Sequence, residues 1–328
     1  MSVYEHEFSA MGSTFRIRLD DISHVKGRAG EVESLFTTLA ADTERLEQCM
    51  SRFRSDSELT LLNRQIGNPV VISRTLADVL SLAETMREWT NGAFDPRILT
   101  VLEEIGYPGA PVTGRSSEGS LSSNPLYREI GRLTQGAIVE IDEPMDLGGI
   151  GKGYAVDAIA EVIARFTSTH PLTGYLIDAG GDIVIGGCQH NGDPWNIGVE
   201  DPEGQFPLAA ALTIPLSASE RVAVCTSSVR RKAWVKSGRT VHHLIDPALG
   251  ASAPTQLLAV TAVAARAALA EVVTKYVFLR GAMNGPLWEH SPAVYLTIAK
   301  GQVVSFTSAM QQYISWLHEQ MVISELPR

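Results

Sequence analysis

One stretch in the middle of the chain, Asp146–Asp157, concentrates residues that could do chemistry. It holds four glycines, one lysine and two aspartates, and it runs directly into the helix-like segment Ala158–Ile163. Glycines let the backbone approach a ligand closely, and the first N–H groups of a helix attract an anion. Lys152 would add a positive charge, and Asp157 would lie in the first turn of the helix. The stretch is therefore a candidate turn for binding a phosphate or pyrophosphate group.

The glycine pattern matches neither of two common nucleotide-binding motifs. It lacks the P-loop spacing Gly-x-x-x-x-Gly-Lys-Ser/Thr, and the Rossmann spacing Gly-x-Gly-x-x-Gly does not occur in a strand, turn and helix near the N-terminus. Glycine-rich turns also occur where nothing binds. Taken alone, the stretch leaves both a ligand site and a structural corner open.

The size and charge of the chain narrow the class of protein. At 328 residues, of which 45% are hydrophobic, the chain can form one large domain or two of ordinary size. Its 27 basic and 37 acidic residues give a net charge of −10. Because nucleic-acid binding needs a basic surface, we do not expect nucleic acid as the main partner. A local basic pocket for one phosphorylated ligand stays open.

The cysteines and the first residues predict a cytoplasmic protein. Cys49, Cys188 and Cys225 are odd in number, far apart, and form no Cys-x-x-Cys pair, which indicates reduced thiols. Residues Met1–Phe15 contain no basic segment followed by an apolar run, and no window reaches the roughly 18 apolar residues of a membrane span. We therefore expect no membrane span.

Helical and strand-like segments alternate irregularly along the chain. Apolar residues recur at helical spacing over Ala29–Phe53 and Ile72–Trp89, and Ala265–Leu279 is an alanine-rich helical segment. Thr14–Leu19 and Leu258–Ala264 have the composition of strands. Many links are short, as between antiparallel strands. We therefore expect an α+β fold with mixed or antiparallel sheets and packed helices, and not a doubly wound parallel sheet.

Three further turns carry polar side chains. Tyr175–Ile185 predicts two strands joined at a Gly-Gly corner, with Asp182 beside the corner. Val222–Ser228 predicts a buried strand that ends in hydroxyl groups, and Val241–Pro247 carries two histidines and a carboxylate before a proline turn. The basic run Arg230–Lys232 is a candidate site for a phosphate or a partner protein. The alternative is that its side chains are simply exposed to solvent.

Seven stretches in chain order resemble the ApbE family of FAD:protein FMN transferases. They are Met11–Phe15, Met50–Leu59 with Asn63, Gly92–Pro96, Asp146–Asp157, Gly180–Asp182, Thr226–Ser227 and His243–Pro247 with Gly250. Chance explains any one match but not seven in register. The resemblance implies an ApbE-like fold over residues 1–328, either as one domain or as two intimately packed α+β subdomains with an FAD cleft between them.

The resemblance also implies which residues contact FAD. Phe53 stands where the family more usually has a tyrosine against a flavin or adenine ring, and we expect Phe53 and Asp95 to serve the ligand and not the core. The implied contacts are Met11, Phe53, Ala93, Phe94, Asp95, Asp146, Lys152, Asp182, Thr226, Ser227, Ile245 and Asp246. Asp95 and Asp246 each precede a proline, so capping a turn is the alternative role for both.

The family's reaction breaks the FAD pyrophosphate, moves FMN onto a Ser or Thr hydroxyl of a target protein and releases AMP. It needs a base for the hydroxyl and cations for the phosphate charge. His243 is the candidate base, because an imidazole titrates near neutrality. Hydrogen bonding within its turn is the alternative role for His243.

The metal site is where the chain departs from the family. The resemblance implies Mg²⁺ bound by a carbonyl of the glycine stretch, here Gly149, and by carboxylate and hydroxyl groups of a late helix. Counting back from Gly281 places Glu271 at the carboxylate position and Lys275 at the hydroxyl position. Thr274 is one residue off, which is about 100° around a helix. Since an ammonium repels a dication, Lys275 is expected either to replace Mg²⁺ or to form an ordinary helical ion pair.

Three functions follow from these expectations. The leading one is transfer of FMN from FAD to an acceptor protein, which the sequence does not name. The rivals are an FAD-binding or carrier protein without transfer, and an FAD pyrophosphatase that uses water as the nucleophile.

Overall fold

The computed structural model describes residues 2–21, 28–107, 124–281 and 293–325, and these form six α-helices and nineteen strands. The helices are α1 (Arg28–Met50), α2 (Glu58–Asn63), α3 (Arg74–Trp89), α4 (Leu99–Glu104), α5 (Gly151–Thr167) and α6 (Ala267–Arg280). The strands are β1 (Ser2–Ala10), β2 (Ser13–Asp21), β3 (Val70–Ser73), β4 (Arg128–Leu133), β5 (Gly136–Glu140), β6 (Gly174–Ala179), β7 (Asp182–Gly187), β8 (Trp195–Glu200), β9 (Leu208–Ile214), β10 (Arg221–Ser228), β11 (Ala233–Lys236), β12 (Arg239–His242), β13 (Ile245–Asp246), β14 (Ala251–Ser252), β15 (Leu257–Ala264), β16 (Val294–Ala299), β17 (Val303–Phe306), β18 (Ile314–Leu317) and β19 (Val322–Ile323).

A nine-stranded sheet forms the centre of the fold, in the order β1-β2-β6-β7-β10-β15-β16-β17-β19. Its neighbouring strands are antiparallel except β17 and β19, which are parallel. Short turns such as the Gly180-Gly181 corner join β6 to β7, and both glycines have positive φ, which a residue with a side chain rarely adopts. The sheet confirms the expected α+β fold.

The central sheet is covered on both faces, so its inner strands are apolar on both sides. On one face Ile17 and Val260 pack with Ile159 of α5 and Val273 of α6. On the other face Val224 and its neighbours pack against a three-stranded sheet in the order β18-β9-β8. Successive side chains of a strand point to opposite faces, which places alternate residues of β10 in the two cores.

Smaller sheets and hairpins surround the glycine stretch. Strands β3, β5 and β4 form a sheet that packs with α2 and α3 in a separate apolar cluster containing Leu147 and Ile150. The β11–β12 hairpin and the β13–β14 pair follow the end of β10 and precede β15. The glycine stretch therefore lies where these smaller units meet the helices.

The expected helices form with shifted ends. The first long helix ends at Met50, three residues before the predicted end at Phe53. The predicted helix from Ile72 begins at Arg74, because Ile72 and Ser73 belong to β3 and the Ser73 side chain accepts a hydrogen bond from the Leu76 N–H. Ser73 is therefore the cap that fixes the start of α3.

Helices α5 and α6 cross at Gly153. A Cβ at this position would lie 2.7 Å from the backbone of Ala267 and of Ala268, so only glycine permits the observed contact. Asp157 accepts hydrogen bonds from the N–H groups of Ala267 (2.9 Å) and Ala268 (3.1 Å). The sequence predicts Asp157 in the first turn of its own helix, but it lies further along α5 and caps the start of α6 instead.

Among the helices of the described residues, none combines the length and the apolar composition that crossing a membrane requires.

Candidate functional site

A cleft open to solvent lies beside the glycine stretch. Its walls come from the end of α1 and the following loop, the turn before α4, the start of α5, the turn after β12, and α6. The predicted site residues that line it are Met11, Phe53, Ala93, Phe94, Asp95, Asp146, Gly149, Lys152, His243, Ile245 and Lys275. Residues distant in sequence are thus brought to one cleft.

The other predicted site residues lie behind this lining. Asp182 is ion-paired with Lys152, and Glu271 with Lys275. Asp246 accepts hydrogen bonds from the Ala248 N–H (2.9 Å) and from Arg280 Nη1 (3.1 Å).

The two hydroxyl residues at the end of β10 also bond to neighbours behind the lining. Thr226 Oγ1 lies 2.9 Å from Thr261 Oγ1, and Ser227 Oγ lies 2.7 Å from Thr274 Oγ1. In this structure both hydroxyls connect elements of the fold.

Aromatic side chains form one wall of the cleft. Phe53 is 54% exposed, and its ring meets that of Tyr107 edge-on, with 6.1 Å between the ring centroids. The Tyr107 ring also stacks on the rings of Trp234 and His243, with centroid distances of 5.4 Å and 6.3 Å. Sequence reasoning missed Tyr107 and Trp234, because no spacing links them to Phe53. An exposed aromatic wall suits a planar heterocycle such as flavin or adenine.

A buried ion pair orders the glycine stretch. Arg52 pairs with Asp146, and both side chains are almost fully buried. Asp146 Oδ1 also accepts a hydrogen bond from the Gly148 N–H at 2.6 Å. The Arg52 guanidinium lies over two aromatic rings, with its Cζ 4.5 Å from the centroid of the Phe53 ring and 5.0 Å from that of Tyr107. Arg52, which the sequence reasoning did not select, thus joins the aromatic wall to the glycine stretch.

Asp95 lines the cleft but also has a structural role. Its Oδ1 accepts hydrogen bonds from the Arg97 N–H (2.9 Å) and Nε (3.0 Å), and its Oδ2 accepts one from Arg97 Nη2 (2.6 Å). Both side chains are about 3% exposed. The expectation that Asp95 serves only the ligand is therefore wrong: it caps the Pro96 turn and neutralises a buried guanidinium.

Three lysines bring positive charge to the cleft. Lys152 pairs with Asp182 and lies 4.0 Å from Glu271, whereas Lys275 Nζ lies 3.2 Å from Glu271 Oε1. Lys232 also lines the cleft, and within the described residues no carboxylate lies within 4.0 Å of its ammonium. Burial lowers the pKa of Lys152, as do the ammonium groups of Lys275 and Lys232, while Glu271 acts in the opposite direction.

Glu271 is a buried carboxylate between two of these lysines. Its Oε2 accepts a hydrogen bond from the Gly153 N–H at 2.8 Å. Burial opposes its ionisation, but the ammonium groups of Lys275 and Lys152 and this N–H outweigh burial and hold the pKa of Glu271 below its ordinary value. One N–H group in the first turn of α5 is therefore bound by a carboxylate of the protein itself.

The surroundings of His243 disfavour its charged form. Burial lowers its pKa to about 3, and the ammonium groups of Lys232 and Lys275 act in the same direction. Its Nδ1 is buried and has no hydrogen-bond partner among the described residues. The expectation that His243 titrates near neutrality is wrong for the free protein, because the surroundings disfavour the charged form.

The basic run at the end of β10 is split between two places. Arg230 Nη1 donates to the Asp201 carbonyl at 3.1 Å, whereas Lys232 lines the cleft. The side chain of Arg231 lies outside the described part of the structure. Of the two described side chains, only that of Lys232 lines the cleft.

The predicted metal residues do not fit Mg²⁺. A Cβ at Gly149 would lie 3.2 Å from Lys275 Cε, so the lysine stem crosses this glycine on its way to Glu271. Thr274 Oγ1 donates to the Glu271 carbonyl at 2.7 Å and lies 2.7 Å from Ser227 Oγ, so both of its contacts are within the fold. Within the described ranges, no group of three or more His, Cys, Asp and Glu side chains is arranged to hold a metal ion.

Comparison with known proteins agrees with this architecture. The ApbE family model matches residues 11–294. The FAD:protein FMN transferase of Treponema pallidum is 28% identical over 298 residues, covering 85% of this chain and 79% of that protein. The protein of the same name from Haemophilus influenzae is 25% identical over 317 residues, covering 92% of this chain and 89% of that protein.

A solved structure shows the same fold. The ApbE protein of Thermotoga maritima superimposes with a TM-score of 0.76 at 23% identity, covering 95% of this chain and 99% of that one. The family match spans most of the chain and includes every stretch that lines the cleft. The chain therefore belongs to the ApbE family.

Proposed function

We propose that this protein is an FAD:protein FMN transferase that binds FAD in the cleft described above. The observation that carries the proposal is that one cleft presents both an aromatic wall, at Phe53 and Tyr107, and a group of lysines beside a glycine turn. FAD needs both features, because it joins two planar heterocycles through a charged diphosphate. The relatives named FAD:protein FMN transferase support the same activity.

The proposed reaction transfers a phosphoryl-linked group between two oxygens. A Ser or Thr hydroxyl of an acceptor protein attacks the FMN phosphorus, a new P–O bond forms, and the P–O bond to AMP breaks. The hydroxyl proton must go to a base, and charge developing on the phosphate must be balanced. His243 is the proposed base, because it lines the cleft and the negative charge of a bound diphosphate would raise the pKa of its imidazole from the low value that burial imposes. Lys152, Lys232 and Lys275 are the proposed cations.

The remaining site assignments have two kinds of support. Residues that line the cleft are proposed to contact FAD directly: Met11, Phe53, Ala93, Phe94, Asp95, Asp146 and Ile245. Asp182, Thr226, Ser227 and Asp246 are proposed to position the lining from behind through their hydrogen bonds and ion pairs. Because the residues around Gly149 and Glu271 do not fit Mg²⁺, no step of the proposed reaction passes through a metal.

We also propose that the chain forms one functional unit and acts in the cytoplasm. The cleft takes residues from Met11 to Leu279, which supports one functional unit over the whole chain, whether it is counted as one domain or as two packed subdomains. The three cysteines are free, which supports the cytoplasmic location predicted from the sequence.

Flavin transfer can be tested directly. The purified protein is incubated with FAD and a protein extract of the source organism, and the products are separated on a denaturing gel. We expect a fluorescent flavin band on an acceptor protein together with release of AMP. AMP without labelled protein would identify a pyrophosphatase, and unchanged FAD with measurable binding would identify a carrier. A His243→Ala variant is expected to bind FAD but to label acceptor far more slowly.

A further inference from the structure

The Lys275 ammonium lies between the two positions expected to bind a metal. It is 3.2 Å from Glu271 Oε1 and 3.2 Å from the Glu271 carbonyl, and its stem lies against Gly149. The side chain is 15% exposed and lines the cleft. A cation of the protein itself therefore stands between the buried carboxylate and the glycine stretch.

Both oxygens of Glu271 already have partners within the protein. Oε1 faces Lys275, with Lys152 at 4.0 Å, and Oε2 accepts the Gly153 N–H at 2.8 Å. Mg²⁺ demands an octahedral set of oxygen ligands, and an ammonium at this distance repels it. Ala268 lies three residues before Glu271 in α6, on the same side of the helix. Its side chain is apolar, so it cannot supply a second carboxylate to a metal.

The same groups leave a positive charge facing the cleft. The three ammonium groups of Lys152, Lys232 and Lys275 are opposed by the two carboxylates of Asp182 and Glu271, which leaves a net charge of +1. A diphosphate entering the cleft would add negative charge next to these ammonium groups. Charge-assisted hydrogen bonds from lysine to phosphate are among the stronger polar interactions in proteins.

We propose that Lys275 is the built-in cation of the diphosphate site, so that this protein binds FAD without a divalent metal. Lys152 and Lys232 complete the site, and the buried Glu271 holds Lys275 in place. The inference rests on the proposed function, because it takes the diphosphate of FAD as the ligand. It assigns to a side chain of this protein the charge neutralisation that the family resemblance assigns to Mg²⁺.

The first test is calorimetric titration of the protein with FAD, once in EDTA and once in excess Mg²⁺. We expect the same Kd in both. Binding that requires Mg²⁺ would overturn this inference and leave the proposed function intact. Absence of FAD binding in both conditions would overturn the proposed function together with the inference.

Variants then test Lys275 itself. Lys275→Met keeps the stem against Gly149 but removes the ammonium, and FAD should bind about tenfold to a hundredfold more weakly, the loss of one charge-assisted hydrogen bond. Lys300→Met removes an exposed lysine outside the cleft and should leave the Kd unchanged. Equal affinity in the two variants would overturn the inference.

A metal probe gives a reading that does not depend on FAD. Mn²⁺ is added to the ligand-free protein, and the electron paramagnetic resonance signal of free Mn²⁺ is followed. The wild type should leave this signal unchanged, whereas Lys275→Thr, which removes the ammonium and adds a hydroxyl, should reduce it. Stoichiometric Mn²⁺ binding by the wild type that is lost in Glu271→Gln would contradict the inference even if Lys275→Met failed to fold.

Discussion

The Glu271 carboxylate accepts a hydrogen bond from the Gly153 N–H at 2.8 Å, so a carboxylate of α6 binds the first turn of α5. The favourable place for an anion at the helix N-terminus is thereby used inside the protein. The same carboxylate holds Lys275 toward the cleft. The start of α5 thus binds Glu271, and Glu271 in turn binds Lys275, which lines the cleft.

Gly153→Ala should destabilise the fold. A Cβ would lie 2.7 Å from the backbone of Ala267 and Ala268, so α5 and α6 would have to move apart. We expect a loss of about 1–3 kcal/mol in the free energy of unfolding, as for other overpacked cores. Urea denaturation followed by circular dichroism measures it.

Gly30→Ala is the matched control for this change. Gly30 lies in α1, and apart from its chain neighbours and the nearby backbone of α1 a Cβ added to it would meet no described atom within 4 Å, so alanine should be neutral or slightly stabilising there. An unfolding midpoint of Gly153→Ala equal to that of Gly30→Ala would contradict the close crossing of α5 and α6.

Asp95→Ala should destabilise the protein as well as affect the cleft. The substitution removes the carboxylate that binds Arg97 most closely and leaves the guanidinium with Glu143 at 3.5 Å and the Asn124 carbonyl at 3.1 Å, so the loss should be about 1–3 kcal/mol. The urea midpoint should fall accordingly. In the double variant Asp95→Ala with Arg97→Met, which removes the buried guanidinium, part of the loss should be recovered. No recovery would mean that Asp95 stabilises the fold by capping the Pro96 turn alone.

Phe53→Ala should weaken FAD binding and cost little stability, about 0.5–1 kcal/mol for the lost contact with the Arg52 guanidinium. The ring is 54% exposed and lies at the edge of the aromatic wall, so its removal leaves no cavity in a core. Loss of one stacking contact of about 0.5–1.5 kcal/mol corresponds to roughly two- to tenfold weaker binding. Fluorescence titration of FAD gives the Kd, with Leu61→Ala as a control for an exposed apolar residue outside this cleft. An unchanged Kd would remove Phe53 from the site.

His243 should make stability fall in acid. Its pKa is about 3 in the folded protein and near 6.5 when unfolded, so the unfolded chain binds more protons between these values. The free energy of unfolding therefore rises with pH across this window, by at most about 1.4 kcal/mol per pH unit for this one group. The stabilisation is complete above pH 6.5 and is lost as the pH falls toward 3.

The contribution of His243 is isolated by comparison with His243→Gln. Urea midpoints of both proteins are measured from pH 4 to pH 8, and the wild type should lose more stability on the acid side. Parallel curves would show that burial does not depress the pKa of this imidazole.

Binding of FAD should raise the pKa of His243, since a diphosphate beside the imidazole favours its protonated form. Calorimetry in buffers of different ionisation enthalpy would detect the proton taken up on binding.

The order and type of the main elements could be predicted from the sequence. The helical periodicity of α1 and α3 and the strand composition of β2 and β15 reflect local preferences and one-sided burial, which are properties of short segments. The glycine stretch and the His243–Pro247 turn were also visible, because backbone geometry restricts which residues such turns accept. Those two stretches line the cleft that the structure forms.

What the tertiary structure decided is which partner each charged residue has. The sequence predicts ligand contacts for Asp95 and Asp146, and each is engaged by a buried arginine, Arg97 and Arg52. Arg97 is close to Asp95 in sequence, yet spacing alone does not show that both side chains are buried. The Arg52–Asp146 pair joins segments far apart in the chain, and such pairs depend on how the segments pack.

The protonation state of His243 and the position of Lys275 were likewise set by the fold. Burial and two ammonium groups from other segments depress the pKa of His243, and no feature of its own turn predicts that. The sequence identified Lys275 as a departure from the family and placed it four residues after Glu271 on one helix face. Only the packing of α6 against the glycine stretch places the Lys275 stem across Gly149, because that contact depends on the crossing of two helices at Gly153.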